Sequence, residues 1–423
     1  MDILIKGGEV YTASGFERRD IGILSGRISF DIDRSFDKCI DASGLYIIPG
    51  LADAHVHLRE PGFSYKETIR TGTMAAAHGG VTAVLAMPNL DPAPCDGASL
   101  KEELELIKKD ALIKVIPFGT ITMGRKGRGE LSNMEAMAPY VCGFSDDGTG
   151  VQDGELMEAA MKKAAKLHKI ISAHCEDERE LKPGGCIHDG AFAKEHGYVG
   201  INSESEWKQV ERDIELAEKT GASYHVCHVS TKESVRLIRE AKKRGVHITC
   251  ETGPHYLIYT DMDLEESGAW KMNPPIRSAE DRDELIKGIK DGTIDCIITD
   301  HAPHSEEEKS KGLSGSAFGI TGLETSFSAV YTFLVKTGVI EFSDLLRLMS
   351  GAPRRIFDIP GPKDYLSEGD LADLAIVDLN KRYRIDADRF YSKGHSTLFD
   401  KKEVYGSVEM TFSEGKQVYP FEK

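Results

Sequence analysis

The stretch Tyr46–Leu58, YIIPGLADAHVHL, joins an apolar run to two histidines, and an arginine follows directly after it. Its apolar start predicts a buried strand, in which the side chains at positions i and i+2 share one face. His55, His57 and Arg59 would then point the same way. Two imidazoles and a guanidinium at the end of a buried strand indicate a shared functional site.

Seven further apolar runs lie along the chain, with amphipathic helical patterns after most of them. The runs are VTAVLAMPN (81–89), IKVIPFGTIT (113–122), YVCGFSDDG (140–148), KIISAHCED (169–177), ASYHVCHVST (222–231), VHITCETGP (246–254) and IDCIITDH (294–301). Helical patterns cover 99–111, 153–169, 203–221 and 230–245, and Ser-x-x-acid motifs predict helix starts at Ser203, Ser230 and Ser278. Strands that alternate with helices pair in parallel, so eight such units predict an α/β fold, a (β/α)₈ TIM barrel over residues 49–360.

The two ends of the chain have a different sequence pattern from the middle. Residues 1–48 and 361–423 contain short β-like runs separated by turn glycines. Because both segments share this character, we expect them to form one small composite β domain beside the barrel.

Composition narrows the classes of function. Lys and Arg total 53 against 69 Asp and Glu, a formal net charge of −16, and no basic block occurs, which disfavours nucleic acid and anionic membranes as partners. The eight cysteines form no CxxC pair, as expected in a reducing compartment. The residues MDILIKGGEV lack a basic segment followed by a long apolar core, and no apolar run approaches the ~18 residues of a membrane span. We therefore predict a soluble, cytoplasmic protein.

Residues suited to chemistry fall at the carboxyl ends of the predicted strands, where the loops of a barrel build its active site. Each one alone has an ordinary explanation, as a hydrogen-bonding strand end or as part of an Asp-Asp-Gly turn. Together they form one rim: His55, His57, Asn89, Asp146, Asp147, His174, His228, Asp300, His301 and His304.

This donor set predicts a metal site. Imidazole with carboxylate suits zinc and tolerates manganese, cobalt or iron. The donors outnumber the three that one catalytic zinc takes, which favours two ions bridged by a carboxylate. Such a pair would activate water for attack on a carbonyl, and Asp300 would pass a proton from that water to the leaving nitrogen. The residues alone leave both Asp146 and Asp147 open as the bridge.

The order of motifs matches a known family. DAHVHLREPG, MPNLDPAP, SDDG, SAHCED, CHVST, ETGPHYL, MNPPIR and TDHAPH occur in this order, and FGITGLET follows at 318–325. In this combination the chain resembles the amidohydrolase superfamily and, within it, the dihydroorotase family, along essentially its whole length. HxH with a late aspartate is specific only for the superfamily, whereas HLREPG with MPN and TDHAPH is much more specific. Allantoinases and dihydropyrimidinases share parts of the pattern.

The resemblance implies a set of metal ligands for two zinc ions per subunit. His55, His57 and Asp300 would hold the first ion, His174 and His228 the second, and Asp147 would bridge them. Many relatives bridge instead with a carboxylated lysine, but YVCGFSDDGTG contains no lysine, which argues against hydantoinase and allantoinase. Because aspartate is shorter than that group, the second ion would be held less firmly.

The resemblance also implies a substrate pocket that includes His57. Arg59 would bind a substrate carboxylate through its planar fork, with Asn89 and His304 beside it. Asn273 and the backbone around Phe318 and Gly319 would hydrogen-bond the amide edge of a pyrimidine ring. The alternatives are a rim salt bridge for Arg59 and turn positions for the two asparagines. His301 is expected to support Asp300 instead of binding metal.

The implied reaction is the reversible ring closure of N-carbamoyl-L-aspartate to L-dihydroorotate and water, the third step of pyrimidine biosynthesis. A homodimer and an association with aspartate carbamoyltransferase are further expectations. The alternatives are another cyclic-amide hydrolase such as allantoinase or dihydropyrimidinase, a non-catalytic partner of aspartate carbamoyltransferase, and a metal-free binding barrel. The charged segment 304–318, HSEEEKSKGLSGSAF, is either a solvated loop or a lid over the substrate.

Overall fold

A computed structural model describes residues 1–421 of the chain. Its strands are β1 Ile3–Lys6, β2 Glu9–Thr12, β3 Gly15–Arg18, β4 Ile21–Leu24, β5 Arg27–Ser29, β6 Lys38–Asp41, β7 Tyr46–Pro49, β8 Leu51–Val56, β9 Val81–Ala86, β10 Lys114–Pro117, β11 Gly143–Phe144, β12 Ile170–Ala173, β13 Ile187–His188, β14 Gly200–Ile201, β15 Tyr224–Val226, β16 Ile248–Thr252, β17 Cys296–Ile297, β18 Leu374–Arg384, β19 Glu403–Ser413 and β20 Lys416–Tyr419.

The α-helices are α1 Ile69–His78, α2 Gly97–Asp110, α3 Met134–Met137, α4 Gly154–Lys166, α5 Ala191–His196, α6 Glu204–Thr220, α7 Lys232–Lys243, α8 Pro254–Ile258, α9 Ala279–Lys290, α10 Glu306–Lys309, α11 Gly312–Gly315, α12 Ser326–Val330, α13 Phe342–Leu346 and α14 Ala352–Ile356. A π-helical turn extends α12, and another joins α13 to α14. Among the helices of residues 1–421, none combines the length and the apolar character needed to cross a membrane.

Eight parallel strands form a closed barrel, which confirms the predicted fold class: β8, β9, β10, β11, β12, β15, β16 and β17. A parallel bridge between Gly119 and Phe144 joins β10 to β11, and one between Val56 and His301 closes the ring. The carboxyl ends of all eight strands therefore meet at one mouth of the barrel, where a (β/α)₈ enzyme carries its active site.

The sequence pattern explains these elements. Strands β8 and β9 are buried at every position because parallel strands are covered on both faces. Helix α4 buries Met157, Ala160, Met161 and Ala164, which follow the i, i+3, i+4, i+7 spacing of one helix face. The four helical patterns in the sequence coincide with α2, α4, α6 and α7 to within a few residues.

Of the three predicted helix starts, Ser278 forms the expected capping box with Asp281, whereas Ser230 does not start a helix. Helix α7 begins one residue later, after Thr231. The reason is Glu206, a buried residue of α6 whose carboxylate accepts hydrogen bonds from the backbone N–H groups of Ser230 at 3.1 Å and Thr231 at 3.0 Å. For the same reason Ser203 makes no capping box with Glu206, although it precedes α6.

Both chain ends contribute to a small β domain, as predicted. Three strands from each end form a six-stranded sheet with the order β20-β19-β18-β7-β2-β3, in which β18 pairs with β7, and a four-stranded sheet has the order β5-β4-β1-β6. Their shared core includes Ile5, Ile23 and Ile47 from the first part of the chain and Leu374 and Phe412 from the last. The division of the chain at 48/49 and 360/361 stays a prediction.

The prediction of one continuous strand over Tyr46–Leu58 is wrong, because the chain leaves one sheet and enters another at Gly50. Strand β7 belongs to the small domain and β8 to the barrel. A Cβ atom at Gly50 would lie 2.4 Å from Cγ2 of Thr82, so a larger residue does not fit at this crossing. Strand β8 ends at Val56, and Arg59 has a φ of +61°, so the alternation of the strand does not extend to the arginine.

Candidate metal centre

Six candidate ligands lie buried at the barrel mouth. They are His55 in β8, His57 just after it, and one residue each after β11, β12, β15 and β17, namely Asp147, His174, His228 and Asp300. Two of them adopt a backbone conformation that is uncommon outside glycine, with φ of +32° at His228 and +47° at Asp300. Such local strain persists where the surrounding structure enforces it, frequently at functional sites.

The four histidines converge on Asp147. Its Oδ1 lies 3.4 Å from Nε2 of His55, 3.4 Å from Nε2 of His228 and 3.7 Å from Nδ1 of His174. Its Oδ2 lies 3.5 Å from Nε2 of His57. Asp147 therefore contacts all four histidines and stands between them.

The remaining contacts divide the histidines into two pairs. Oδ1 of Asp300 lies 3.1 Å from Nε2 of His57 and 3.6 Å from Nε2 of His55. On the other side, Nδ1 of His174 lies 3.0 Å from Nε2 of His228. One group of donors is therefore His55, His57 and Asp300, and a second is His55, Asp147 and His228, which His174 joins through its contacts with Asp147 and His228.

These separations fit metal coordination. Donors about 2.0–2.1 Å from a tetrahedral zinc lie about 3.3 Å from one another, close to the distances above. Nε2 of His55 and Oδ1 of Asp147 are buried and have no hydrogen-bond partner in the described part of the chain. Burial without a partner is costly for polar atoms, and a cation between them would satisfy both.

Asp146 has a different role from its neighbour. Its carboxylate accepts hydrogen bonds from the backbone N–H groups of Ile121 at 2.8 Å, Thr122 at 3.1 Å and Gly127 at 3.2 Å. It therefore fixes the loop that follows β10 and turns away from the histidines. Of the two aspartates, only Asp147 has the geometry of a bridge.

A cavity of about 210 Å³ opens onto this cluster. Its lining contains every predicted substrate-pocket residue and all the candidate ligands except His55: His57, Arg59, Asn89, Asp147, Gly148, His174, His228, Asn273, Asp300, Ala302, His304, Phe318 and Gly319. This volume is below the ~300–1,000 Å³ of pockets for drug-sized ligands, and suits a small single-ring molecule.

Arg59 supplies positive charge to the cavity. Burial lowers the pKa of its guanidinium to about 10, so the group stays charged at neutral pH. Its Nε donates to the carbonyl of Pro303 at 3.3 Å. No carboxylate of residues 1–421 lies within 4.0 Å of its guanidinium, so the structure offers no rim salt bridge for it.

The other pocket residues also form bonds within the protein. The Oδ1 atom of Asn89 accepts from Nδ1 of His57 at 2.8 Å, and its Nδ2 donates to the carbonyl of Asp147 at 2.8 Å. Nδ2 of Asn273 donates to Glu176 at 2.9 Å. These asparagines therefore orient groups around the candidate metal ligands, and their contacts with a substrate stay predictions.

Polar groups of the cavity lining near Phe318 also form hydrogen bonds within the protein. Nε2 of His304 donates to the carbonyl of Phe318 at 2.8 Å. Burial, with Arg59 and Lys66 nearby, lowers the pKa of His304 to about 3, so the ring is neutral and adds no charge to a carboxylate pocket. The N–H of Gly319 donates to the carbonyl of Lys271 at 3.1 Å, which leaves it unavailable to a substrate in this arrangement.

His301, which was expected to support Asp300, directs its ring to other partners. Nε2 of His301 lies 3.3 Å from Oε2 of Glu67, and its Nδ1 accepts from the N–H of Gly322 at 3.2 Å. Its carbonyl accepts from the N–H of His57 at 2.8 Å. His301 therefore fastens the last barrel strand to the first.

Sequence reasoning missed Glu67 and Glu251, two fully buried carboxylates. Glu251 lies in β16, and its Oε1 is 2.7 Å from Nδ1 of His55. The available signal was a charged residue within a strand that is otherwise buried, in the segment ITCET. Glu67 precedes α1 in a loop, and no local pattern distinguishes it from an exposed glutamate.

Segment 304–318 is folded and not a solvated loop. It contains α10 and α11, and Lys309, the last residue of α10, is buried. Nζ of Lys309 donates to the carbonyls of Lys271 at 2.9 Å, Ala317 at 2.9 Å and Gly319 at 2.7 Å. This fastening holds Phe318 and Gly319 against the cavity.

Replacing Lys309 by methionine is expected to loosen this segment. Each of the three lost hydrogen bonds contributes about 0.5–1.5 kcal/mol to the stability of the closed segment. We expect the segment to open more often in this variant, and the Michaelis constant for the substrate to rise several-fold. Limited proteolysis within 304–318 together with steady-state kinetics measures both effects. The control is Lys311→Met, which changes an exposed lysine of the same segment. Unchanged proteolysis and kinetics in Lys309→Met would exclude the fastening role.

Comparison with known proteins agrees with this geometry. The family model described as dihydro-orotase-like matches residues 44–234. A dihydroorotase from Fusobacterium nucleatum is 47% identical over 99% of this chain and 98% of its own, and one from Bacillus pumilus is 45% identical over 99% and 98%.

Among solved structures, an L-hydantoinase (dihydropyrimidinase) from Arthrobacter aurescens superposes with a TM-score of 0.88 at 25% identity, covering 98% of this chain and 95% of its own. A D-hydantoinase (dihydropyrimidinase) from Thermus sp., with a TM-score of 0.84 at 23% identity over 98% and 94%, shows the same fold. From its identity to curated relatives along nearly its whole length, the chain belongs to the dihydroorotase family.

Proposed function

We propose that the chain catalyses the reversible cyclisation of N-carbamoyl-L-aspartate to L-dihydroorotate and water, the third step of pyrimidine biosynthesis. The observation that carries the proposal is one cavity in which the cluster around Asp147 and the cation of Arg59 face the same space. The metal-binding groups fit amide hydrolysis, and the arginine fits a substrate that carries a carboxylate.

The proposed metal content is two zinc ions per subunit. His55, His57 and Asp300 would hold one ion and His174 and His228 the other, with Asp147 shared. When bound, a pair of such ions lowers the pKa of water and polarises a carbonyl. The contacts of Asp147 with all four histidines support a shared carboxylate.

The protein's own groups then perform the proton transfers. In the hydrolytic direction, water adds to the ring amide carbon, Asp300 accepts the water proton, and the carbon–nitrogen bond breaks as Asp300 returns that proton to the nitrogen. In the biosynthetic direction, the ureido nitrogen attacks the carbon of the protonated carboxyl group, Asp300 accepts a proton from that nitrogen, and the carbon–oxygen bond breaks as Asp300 gives the proton to the hydroxyl group, which leaves as water. Asp300 suits this role because its carboxylate lies at the cavity wall and is ionised: although burial opposes ionisation, the hydrogen bond from His57 and the nearby imidazoles lower its pKa.

Arg59 would bind the carboxylate that remains outside the reacting ring. Its guanidinium lines the cavity, and no carboxylate of residues 1–421 lies within 4.0 Å of it. A fork of two parallel N–H donors matches a carboxylate and sets the ring's orientation. Asn273 and the backbone at Phe318 would face the amide edge of the ring.

The test compares turnover of dihydroorotate, allantoin and dihydrouracil by the purified protein. We expect turnover of dihydroorotate and formation of carbamoyl-aspartate, with little turnover of the other two. Preference for dihydrouracil or allantoin would assign the chain to another cyclic-amide hydrolase. Loss of all turnover in a metal-loaded sample would favour a non-catalytic role. A homodimer and an association with aspartate carbamoyltransferase also stay proposals.

Arg59→Met is expected to lower kcat/KM for dihydroorotate by about 10- to 100-fold, since hydrogen bonds to a charged group contribute about 1.5–3 kcal/mol. The residual rate on dihydrouracil should change little, because dihydrouracil has no carboxylate. The matched control is Lys126→Met, which removes an exposed cation that does not line the cavity. An equal loss on both substrates would exclude carboxylate binding by Arg59.

A further inference from the structure

We propose that Glu251 is a positioning residue for the metal centre, which holds His55 in the orientation and protonation form that binds a cation. This inference rests on the metal site of the proposed function but not on the identity of the substrate. Glu251 lies in β16, and His55 in β8, so the contact crosses the inside of the barrel.

Glu251 contacts the ring nitrogen of His55 that faces away from the other candidate metal ligands. Its Oε1 lies 2.7 Å from Nδ1 of His55, and both side chains are fully buried. The opposite ring nitrogen, Nε2, then faces Asp147 at 3.4 Å and Asp300 at 3.6 Å. The imidazole therefore lies between a supporting carboxylate on one side and the other candidate metal ligands on the other.

A second histidine fixes Glu251 itself. Oε2 of Glu251 lies 3.1 Å from Nε2 of His225, a close contact whose angle is not that of a hydrogen bond. Nδ1 of His225 lies 2.7 Å from Oγ1 of Thr249, which holds the ring in place. Glu251 therefore contacts an imidazole at each of its two oxygens.

The chemical consequence concerns which nitrogen carries the proton. A carboxylate accepts a hydrogen bond only from a protonated nitrogen, so Glu251 selects the Nδ1–H form of His55 and leaves the Nε2 lone pair free for a metal. Its negative charge also makes the imidazole a stronger donor. His57 has only the neutral amide of Asn89 at its Nδ1, 2.8 Å away, and the carboxylate of Glu176 lies 3.6 Å from Nε2 of His174, so His55, at 2.7 Å from Glu251, has the shortest contact with a supporting carboxylate of these three histidines.

The charge of Glu251 also compensates the ions. Two divalent cations bring four positive charges, whereas the proposed ligands bring only two negative ones, from Asp147 and Asp300. A buried site with excess charge is costly, and Glu251 supplies a further negative charge without occupying a coordination position. Removal of that charge should weaken metal binding even where the shape of the side chain is kept.

The experiment measures zinc affinity of the full-length protein by competition with a chromogenic chelator. Glu251→Gln keeps the size of the side chain and loses its charge, and it should bind zinc about 10- to 100-fold more weakly than the wild type. The control is Glu103→Gln, which changes a buried glutamate of α2 outside the site and should leave zinc affinity unchanged. Zinc affinity equal to that of the wild type in Glu251→Gln would overturn the proposal.

A second measurement separates positioning from a general loss of folding. Circular dichroism verifies the fold of each variant, and cobalt substitution reports ligand geometry through its visible absorption spectrum. We expect an altered cobalt spectrum in Glu251→Gln and recovery of the wild-type zinc content at high zinc concentration. If Glu251→Gln does not fold, His225→Gln, which frees one oxygen of Glu251, should give a smaller loss of zinc affinity, and no loss would contradict the proposal. Failure of the wild type to hydrolyse dihydroorotate would refute the proposed function and leave these binding results intact.

Discussion

Asp300→Asn is expected to lower kcat for dihydroorotate hydrolysis by about 10²- to 10⁴-fold, the range that a positioned acid–base group contributes. Asparagine keeps the size of the side chain and one oxygen beside His57, but it cannot accept the proton of water or return it to the leaving nitrogen. The measurement is steady-state turnover in both directions, with zinc content determined on the same samples. Rates should be compared only between samples that contain equal metal.

The matched control for this variant is Asp53→Asn. Asp53 is a buried aspartate that accepts a hydrogen bond from the N–H of Thr299 at 3.1 Å and does not line the cavity. Its replacement is expected to lower stability with a much smaller change in kcat per bound metal. Normal turnover by metal-loaded Asp300→Asn would show that another group transfers the proton.

Asp147→Asn should lose metal and activity together, because this side chain contacts all four histidines. An amide is a weaker ligand than a carboxylate and leaves the pair of cations with less compensating charge. We expect at least one zinc per subunit to be lost and activity to fall by about 100-fold or more. Elemental analysis and the dihydroorotate assay measure the two effects.

The neighbouring substitution Asp146→Asn gives the contrast. Its carboxylate holds the backbone N–H groups of Ile121, Thr122 and Gly127, so losing its charge should cost about 1.5–3 kcal/mol of stability. Zinc content should stay near that of the wild type. If Asp146→Asn lost zinc while Asp147→Asn kept it, the assignment of the bridge would be reversed.

The barrel was predictable because its signals are local. Runs such as VTAVLAMPN are apolar except for Thr82 where the strand is buried, and the helices between them carry a regular buried face. The break at Gly50 was not predictable, since it depends on the contact with Thr82, a residue of the neighbouring barrel strand. The start of α7 likewise depends on Glu206, which reaches it from the preceding helix.

The site was predictable to the extent that topology alone brings residues together. The ends of parallel strands meet at one mouth, so His55, His174, His228 and Asp300 could be grouped without knowing a distance. The partners of those groups could not be inferred in this way. Which carboxylate supports His55, and which lysine fastens segment 304–318, depends on packing between elements that are distant in sequence.

The central claim is that a pair of metal ions held by the residues around Asp147 is required for the reaction of dihydroorotate. The most direct test removes metal from the purified protein with a chelator and restores it stepwise with zinc while dihydroorotate hydrolysis is followed. We predict no turnover without metal and a rise that saturates near two zinc ions per subunit. Full turnover by the metal-free protein, or zinc binding that restores no turnover, would contradict the account.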